Sequence, residues 1–535
     1  MTTPILLTSL NARYAHSALG LRYLYANLKE LQPQAGIVEF TINESIQSVA
    51  ERILEHSPRI IGIGVYIWNA LETAELIEIL KKVSPSTTIV LGGPEAGYLP
   101  HRVDFSLADY VISGEGEIAF YELCRSLLQN DGGAKPHSSA LTLNSLRQSA
   151  HVQSTALETE QSDSGFPRFI KAPLPNLGEL ILPYAAYSDE DIAHRYLYVE
   201  ASRGCPFECE FCLSSIDEKV RNFPLESLLK DFETLWERGA RNFKFIDRTF
   251  NLNMTFANRI LDFFLSKDPP YFAHFEVIPD HFPDSIKEKI SRFPAGALQL
   301  EIGIQTLNPE VAKRINRPLR LEKIVQNIRY LQNETDAHMH LDLIVGLPGE
   351  TLEGFGRNLD TLVSIAECEI QIGILKKLSG TTLSRHDREF GMVYSDTPPY
   401  DILQNDLLSF SVIQKMKRFA RFWDMYYNSG NFDRSVRLLW PKGNVFETFY
   451  AFSEWIYDQT LSTWKISLDR QTALLYEYLR LQTATDEIHA AMMYDIGKTP
   501  GRTIPKFLNQ QSFREEKKDP SSPVIPKRQS KRITP

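Results

Sequence analysis

The chain has 535 residues, 43% hydrophobic and 23% charged, with a formal net charge of -9. This is the composition of a soluble globular protein with about two to four domains. The negative balance argues against non-specific nucleic-acid binding by the whole molecule, and no apolar run approaches the roughly 18 to 20 residues of a bilayer span. The amino terminus, Met-Thr-Thr-Pro before Ile5, Leu6 and Leu7, lacks the charged region and cleavage site of a signal peptide and reads as a first strand. A cytoplasmic protein is expected.

From Pro4 to about Gln129, β-rich runs at Ile5 to Leu10, Ile37 to Thr41, Ile60 to Tyr66, Thr88 to Leu91 and Tyr110 to Ile112 alternate with helix-period segments such as Leu71 to Val83. The alternation predicts an α/β domain over 1–130, a doubly wound parallel sheet whose ligands bind at the carboxyl ends of the strands. Two glycine-rich loops follow the fourth and fifth strands: Gly92-Gly93-Pro94-Glu95 and Gly114-Glu115-Gly116-Glu117. Each supplies a sharp turn or a close backbone approach to a ligand, and a plain tight turn accounts for either loop taken alone.

Residues 131–190 read as a linker, Ser-, Thr- and Gln-rich to about Ser164. A second α/β alternation fills 191–384, with strands at Tyr196 to Glu200, Phe243 to Asp247, His274 to Ile278, Leu298 to Ile304, His340 to Val345 and Ile372 to Leu375. Six βα units predict a partial (β/α)6 barrel with its chemistry on the loops at the carboxyl ends of the strands. Residues 385–500 read as a helical domain whose aromatics, Phe419, Trp423, Phe449 and Phe452 among them, form helix-packing core, and 501–535 read as a basic, disordered tail.

Three of the five cysteines fall within eight residues, in Arg203-Gly-Cys205-Pro-Phe-Glu-Cys209-Glu-Phe211-Cys212, directly after the first barrel strand. Odd in number and clustered, they make a poor disulfide framework and suit a reducing compartment, where close thiols hold a metal or cluster. Three thiolate ligands leave one iron of a 4Fe-4S cluster open, whereas a structural zinc site takes four protein ligands.

The C-x3-C-x2-C spacing, with an aromatic before the third cysteine, resembles the signature of the radical SAM superfamily. The resemblance implies that Cys205, Cys209 and Cys212 bind three irons, that S-adenosylmethionine (SAM) chelates the fourth, and that Phe211 lies near the adenine. Further motifs fall at strand ends: Asp247 and Glu276 resemble the contacts to the methionine ammonium, while Gln305, Arg317 and Asp342 resemble the segments that hold the ribose and the methionine carboxylate. One electron through the cluster would then cleave SAM to methionine and a 5'-deoxyadenosyl radical, so the chain is expected to be an enzyme served by an external one-electron donor such as flavodoxin or ferredoxin.

A doubly wound sheet ahead of such a barrel resembles the cobalamin-binding branch of the superfamily, with an uncharacterised helical extension at the carboxyl end. The resemblance covers about residues 1 to 380 and implies a corrin sandwiched between the two domains, its tail along Gly92, Gly93, Gly114 and Gly116. The D-x-H-x-x-G motif that supplies an axial imidazole is absent, so a histidine-off mode is required. His16, in Asn11-Ala-Arg13-Tyr14-Ala-His16, is the candidate ligand or proton donor, against the plain alternative of a backbone-bonded helix-entry histidine. The reaction implied is methylation or rearrangement of an unactivated carbon in a small molecule, with no membrane or nucleic-acid partner. Two alternatives stand beside it: a radical SAM enzyme without functional cobalamin, and a non-enzymatic metal- or cluster-binding protein.

Overall fold

A computed structural model of the chain describes residues 2–129, 168–216, 219–499 and 501–508. The first sheet consists of β1 (Ile5–Asn11), β2 (Ala35–Thr41), β3 (Ile60–Gly64), β4 (Thr88–Gly92), β5 (Tyr110–Ser113) and β6 (Phe169–Lys171), all parallel, in the order β2-β1-β3-β4-β5-β6. Its strands are apolar on both faces because helices cover both. Leu6, Leu10 and Ile63 pack with Val49, Ile53, Leu76 and Leu80 on one side, and Ile5, Leu7 and Ile60 with Leu21, Phe120 and Leu123 on the other. The five expected strands are all present, and the sixth is a correction. Part of the expected linker pairs with β5, Ile112 opposite Ile170, and so belongs to the sheet; of the rest, 130–167 lie outside the described residues.

The second sheet is an open, parallel barrel. Its strands are β7 (Leu197–Val199), β10 (Asn242–Phe245), β11 (Phe272–Val277), β12 (Leu298–Gln305), β13 (His338–Val345) and β14 (Glu369–Ile374), neighbours in chain order. Between β7 and β10 a short antiparallel pair, β8 (Ser202–Arg203) and β9 (Arg221–Asn222), brackets the cysteine loop. Along the barrel strands apolar residues such as Phe243, Phe245, Phe275, Leu300 and Leu341 face the outer helices. The alternate positions, Tyr198, Lys244, His274, Glu276, Glu301 and Asp342, give the lumen its polar lining.

The carboxyl-terminal helices Phe410–Trp423, Val445–Thr460, Leu468–Leu479 and Thr485–Gly497 close the barrel's last edge. Asn428 accepts from the Ile370 N–H (2.9 Å) and donates to its carbonyl (3.0 Å), satisfying the backbone of β14 where, among the described residues, no further strand pairs with it. Phe419, Trp423, Phe449 and Phe452 are fully buried here as core. Two details depart from expectation. The region also contains an antiparallel pair, Val393–Tyr394 with Ile402–Gln404, and the expected tail begins inside the core: Leu508 is buried and its carbonyl lies 3.1 Å from His489 Nε2. Residues 509–535, where the disordered tail is expected, lie outside the described residues. Among the described residues no helix is long and apolar enough to cross a membrane.

Candidate active site between the two sheets

The cysteine loop leaves the barrel pinched at its base, where Ser202 pairs with Asn222 and Arg203 with Arg221. Gly204 then turns the chain with φ +90°, a conformation costly for any other residue, and the Cys212 N–H donates to the Cys209 carbonyl at 3.1 Å. The three thiols line one cavity of about 520 Å³ together with Phe211, Arg248, Glu276, Glu301, Gln305, Arg317 and Asp342. Eight of the nine residues expected at the cluster and SAM site line this cavity, brought to one barrel face by separate strand ends and loops; Asp247 is the exception.

Asp247 is buried beneath the loop and away from the cavity. Its Oδ2 accepts from the Ala201 N–H (2.9 Å) and its Oδ1 from the Ser202 hydroxyl (2.5 Å). Burial pushes its carboxyl up to about 7 despite those bonds. The expected contact to the methionine ammonium is therefore corrected: this carboxyl supports the strand that leads into the loop.

The cavity carries both signs of charge. Glu301 Oε2 lies 2.9 Å from His274 Nε2; burial works against its charge, but the imidazole holds the carboxyl below its ordinary range. Asp342 is held well above the ordinary range, first by burial and then by repulsion from Glu301 and Glu276. Arg317 donates to Cys209 Sγ (3.4 Å) and to the Gly303 carbonyl. Two buried atoms here, Arg317 Nε and Asp342 Oδ1, make no hydrogen bond among the described residues. An unpaired donor and an unpaired acceptor in one cavity fit a zwitterionic ligand such as an amino acid. Gln305 reaches the wall from a bulge in β12, with φ +68°, where the pairing with β13 shifts register.

A second cavity, of about 560 Å³, separates the barrel from the carboxyl edge of the first sheet and is lined by Asn11, His16, Tyr66, Trp68, Tyr198, Arg203, Ser214 and Arg248 among others. His16 Nδ1 lies 2.7 Å from the Tyr198 hydroxyl, and burial lowers the imidazole's pKa. Arg13 and Tyr14 do not line this cavity; Tyr14 instead donates to Glu190 and lies under Arg195. A third cavity of about 220 Å³ runs along the sheet edge, with Gly62, Gly64, Gly92, Gly93, Gly114 and Gly116 in its wall. A Cβ at Gly92 or Gly116 would meet no atom nearer than 3.4 Å and would project into this groove, whereas at Gly93 it would lie 2.5 Å from the Val65 carbonyl oxygen. The groove is a cradle that side chains would fill, which fits an extended ligand lying against backbone.

Several site residues were invisible to sequence reasoning. Arg203 is held by Glu200, at the end of β7, and by Glu115 and Glu117 of the second glycine loop, at 2.6 to 2.9 Å. Glu210, between two of the cysteines, is held by His386 Nε2 at 2.6 Å and by Arg385. The loop is thus gripped from both sides, by the first domain and by the carboxyl-terminal region. Arg248 bridges the loop to β11: its Nη1 donates to both oxygens of Glu276 at 2.8 Å and its Nε to Ser214 Oγ at 3.2 Å. The only signal for any of these in the sequence was adjacency to a motif.

Comparison with known proteins agrees with this architecture. The B12 binding domain family matches residues 6–124, the Radical SAM superfamily residues 199–362, and a protein family of unknown function, DUF4080, residues 388–533. An uncharacterized methyltransferase, PH0819, of Pyrococcus horikoshii is 23% identical over 63% of this chain and 70% of its own. The cobalamin-dependent radical SAM methyltransferase TokK of Streptomyces tokunonensis is 24% identical over 62% of this chain, which spans about half of TokK, 49%. Among solved structures, OxsB, a cobalamin-dependent S-adenosylmethionine radical enzyme, aligns with a TM-score of 0.58 at 14% identity, over 92% of this chain and 78% of its own. TsrM, a radical S-adenosylmethionine methyltransferase from Kitasatospora setae, aligns at 0.55 and 17% identity, over 76% and 80%.

Barrel, cysteine loop and zwitterion-lined cavity together define a radical SAM enzyme. More particularly, the B12-binding match ahead of the barrel and the DUF4080 match behind it agree with the branch of that superfamily in which a cobalamin-binding domain precedes the barrel. The cofactors of that branch are a 4Fe-4S cluster, SAM and cobalamin. The first two fit the cavity holding the thiols and the two unpaired polar atoms, and the third fits the interdomain cavity and its glycine groove.

Proposed function

We propose that this protein is a cobalamin-dependent radical SAM methyltransferase that acts on an unactivated carbon of a small molecule. The observation that carries this reading is the adjacency of the two large cavities: one holds the cysteines, the other opens toward the glycine groove, and Arg248 lines both. When bound, the cluster supplies an electron to SAM and cobalamin carries a methyl group. The chain's own residues do the rest. Cys205, Cys209 and Cys212 hold the cluster; Arg317 takes the methionine carboxylate, Glu276 the ammonium, Phe211 the adenine, Gln305 the ribose, and Asp342 a further donor. Gly92, Gly93, Gly114 and Gly116 admit the corrin tail. His16, bonded to Tyr198, presents an imidazole to the interdomain cavity and orients whatever lies there.

The chain divides accordingly into a corrin domain over 1–130 extended by β6, a barrel over 191–384, and a helical domain from 385 that fastens the cysteine loop through Glu210. A cytoplasmic location, an external one-electron donor such as flavodoxin or ferredoxin, and independence of membranes and nucleic acids complete the reading. The test is anaerobic reconstitution with iron, sulfide and hydroxocobalamin, followed by SAM and reductant. Release of 5'-deoxyadenosine with corrin absorbance retained after desalting is expected. Deoxyadenosine without retained corrin would reduce the reading to a radical SAM enzyme without cobalamin, and neither signal would overturn it. Cys212→Ala should abolish deoxyadenosine and lower bound iron.

A further inference from the structure

Among the described residues Arg248 alone lines both the cysteine cavity and the interdomain cavity, so it stands where a substrate would meet both cofactors. Its guanidinium is incompletely used. Nη1 is held by Glu276 and Nε by Ser214, while Nη2 makes no hydrogen bond among the described residues, and the side chain is 51% exposed. The other arginines lining the two cavities are committed differently: Arg203 is held by three carboxylates, Arg317 faces Cys209 and Gly303, and Arg320 pairs with Asp280 at 2.6 Å. A planar fork with one free edge at the junction of two cavities is a receptor for an oxyanion.

We propose that Arg248 anchors an anionic group of the substrate, a carboxylate or a phosphate, through its free Nη2 edge, and that SAM and this anion favour each other's binding. The inference rests on the reading of Glu276 as the acceptor for the SAM ammonium. Without SAM, Glu276 neutralises Arg248. An ammonium arriving at Glu276 competes for that carboxylate and leaves Arg248 with unbalanced positive charge, which an anion then neutralises. By reciprocity of linked equilibria, an anion on Arg248 frees Glu276 for the ammonium and tightens the SAM site by the same factor. Substrates without an anionic group gain nothing from this arrangement.

The test is calorimetric titration of S-adenosylhomocysteine, which retains the ammonium and carboxylate, into the reconstituted cobalamin-loaded protein, with no added anion, with phosphate, or with acetate, at constant ionic strength. In the wild type one of the two anions should tighten binding several-fold, and which one does so tells phosphate from carboxylate. Arg248→Gln should bind S-adenosylhomocysteine several-fold tighter without added anion, because a repelling cation is gone, and should show no anion effect. Arg248→Lys, which keeps the charge but not the fork, should retain a weaker linkage. A role confined to propping the cysteine loop predicts the opposite sign for Arg248→Gln, weaker binding and less bound iron. An anion effect missing in the wild type or persisting in Arg248→Gln overturns the proposal. Failure of S-adenosylhomocysteine to bind at all overturns instead the reading of this cavity, with Glu276, as the SAM site beneath it.

Discussion

Replacing Arg203 with glutamine removes the cation on which the two domains converge. The guanidinium is 13% exposed and pairs with Glu115 (2.6 Å), Glu117 (2.8 Å) and Glu200 (2.9 Å), carboxylates that are themselves 19, 5 and 6% exposed. It also lies over the Tyr23 ring at 4.5 Å. Stripping one partner from a buried pair leaves uncompensated charge and costs about 3–5 kcal/mol. Glu115 keeps Arg221 as a second partner, so the penalty falls on Glu117 and Glu200. For a domain of 150–250 residues about 1 kcal/mol moves the midpoint by roughly 2–4 °C, so Arg203→Gln should melt about 6–20 °C below the wild type. Differential scanning calorimetry of the apoprotein at pH 7.5 measures it, with circular dichroism to show that the variant folds at low temperature. Adding Glu117→Gln and Glu200→Gln should recover much of the loss, since the orphaned charges go with the arginine. A midpoint within 2 °C of wild type for the single variant, or no recovery in the triple variant, would refute the account of Arg203 as the lock between the domains.

Glu350 gives a pH test. It is buried, accepts from Thr306 Oγ1 (2.6 Å) and Asn358 Nδ2 (2.8 Å) on one oxygen, and leaves the other unpaired, so burial pushes its carboxyl from 4.5 up to about 7. With the folded value above the unfolded one, the native state holds the extra proton. The stability this confers is full below about 4.5, declines toward 7 and is lost above it; the span is worth about 3 kcal/mol at 1.36 kcal/mol per pH unit. Glu350→Gln should therefore flatten the denaturation profile between those values and be more stable than wild type at pH 8, and an unchanged pH slope would count against it. Neighbouring glycines separate ligand room from backbone need. Gly92→Leu should fold but retain corrin about tenfold less well, by absorbance after desalting, whereas Gly93→Ala, with φ +101° and the Val65 carbonyl in its way, should lower the melting midpoint even without cofactor. Equal corrin retention by Gly92→Leu and wild type would move the tail elsewhere.

Much of this molecule is written locally. Near-continuous apolar runs place five strands of the first sheet, because a strand buried on both faces must be apolar along its length, and alternating runs separated by amphipathic helices place the six of the barrel, whose inner face is polar. The cysteine spacing is equally local, since three thiols within eight residues are close whatever the rest of the chain does. Phe211, Glu276, Gln305, Arg317 and Asp342 were legible because each sits at or near a strand end or loop, which a parallel barrel brings to one face. What the chain alone left open are pairings between distant segments. β6 is three residues long with no periodicity of its own and becomes a strand only because β5 offers it an edge. Asp247 occupies a strand end like the others, yet its carboxyl turns to Ala201 and Ser202, a choice made by the neighbouring strand. Arg203 with Glu117, Glu210 with His386, and Arg248 at the junction of two cavities depend on contacts spanning tens to hundreds of residues. Composition and periodicity report which face of an element is buried; which charges meet across domains depends on the packing of those faces, and only the tertiary structure decides it.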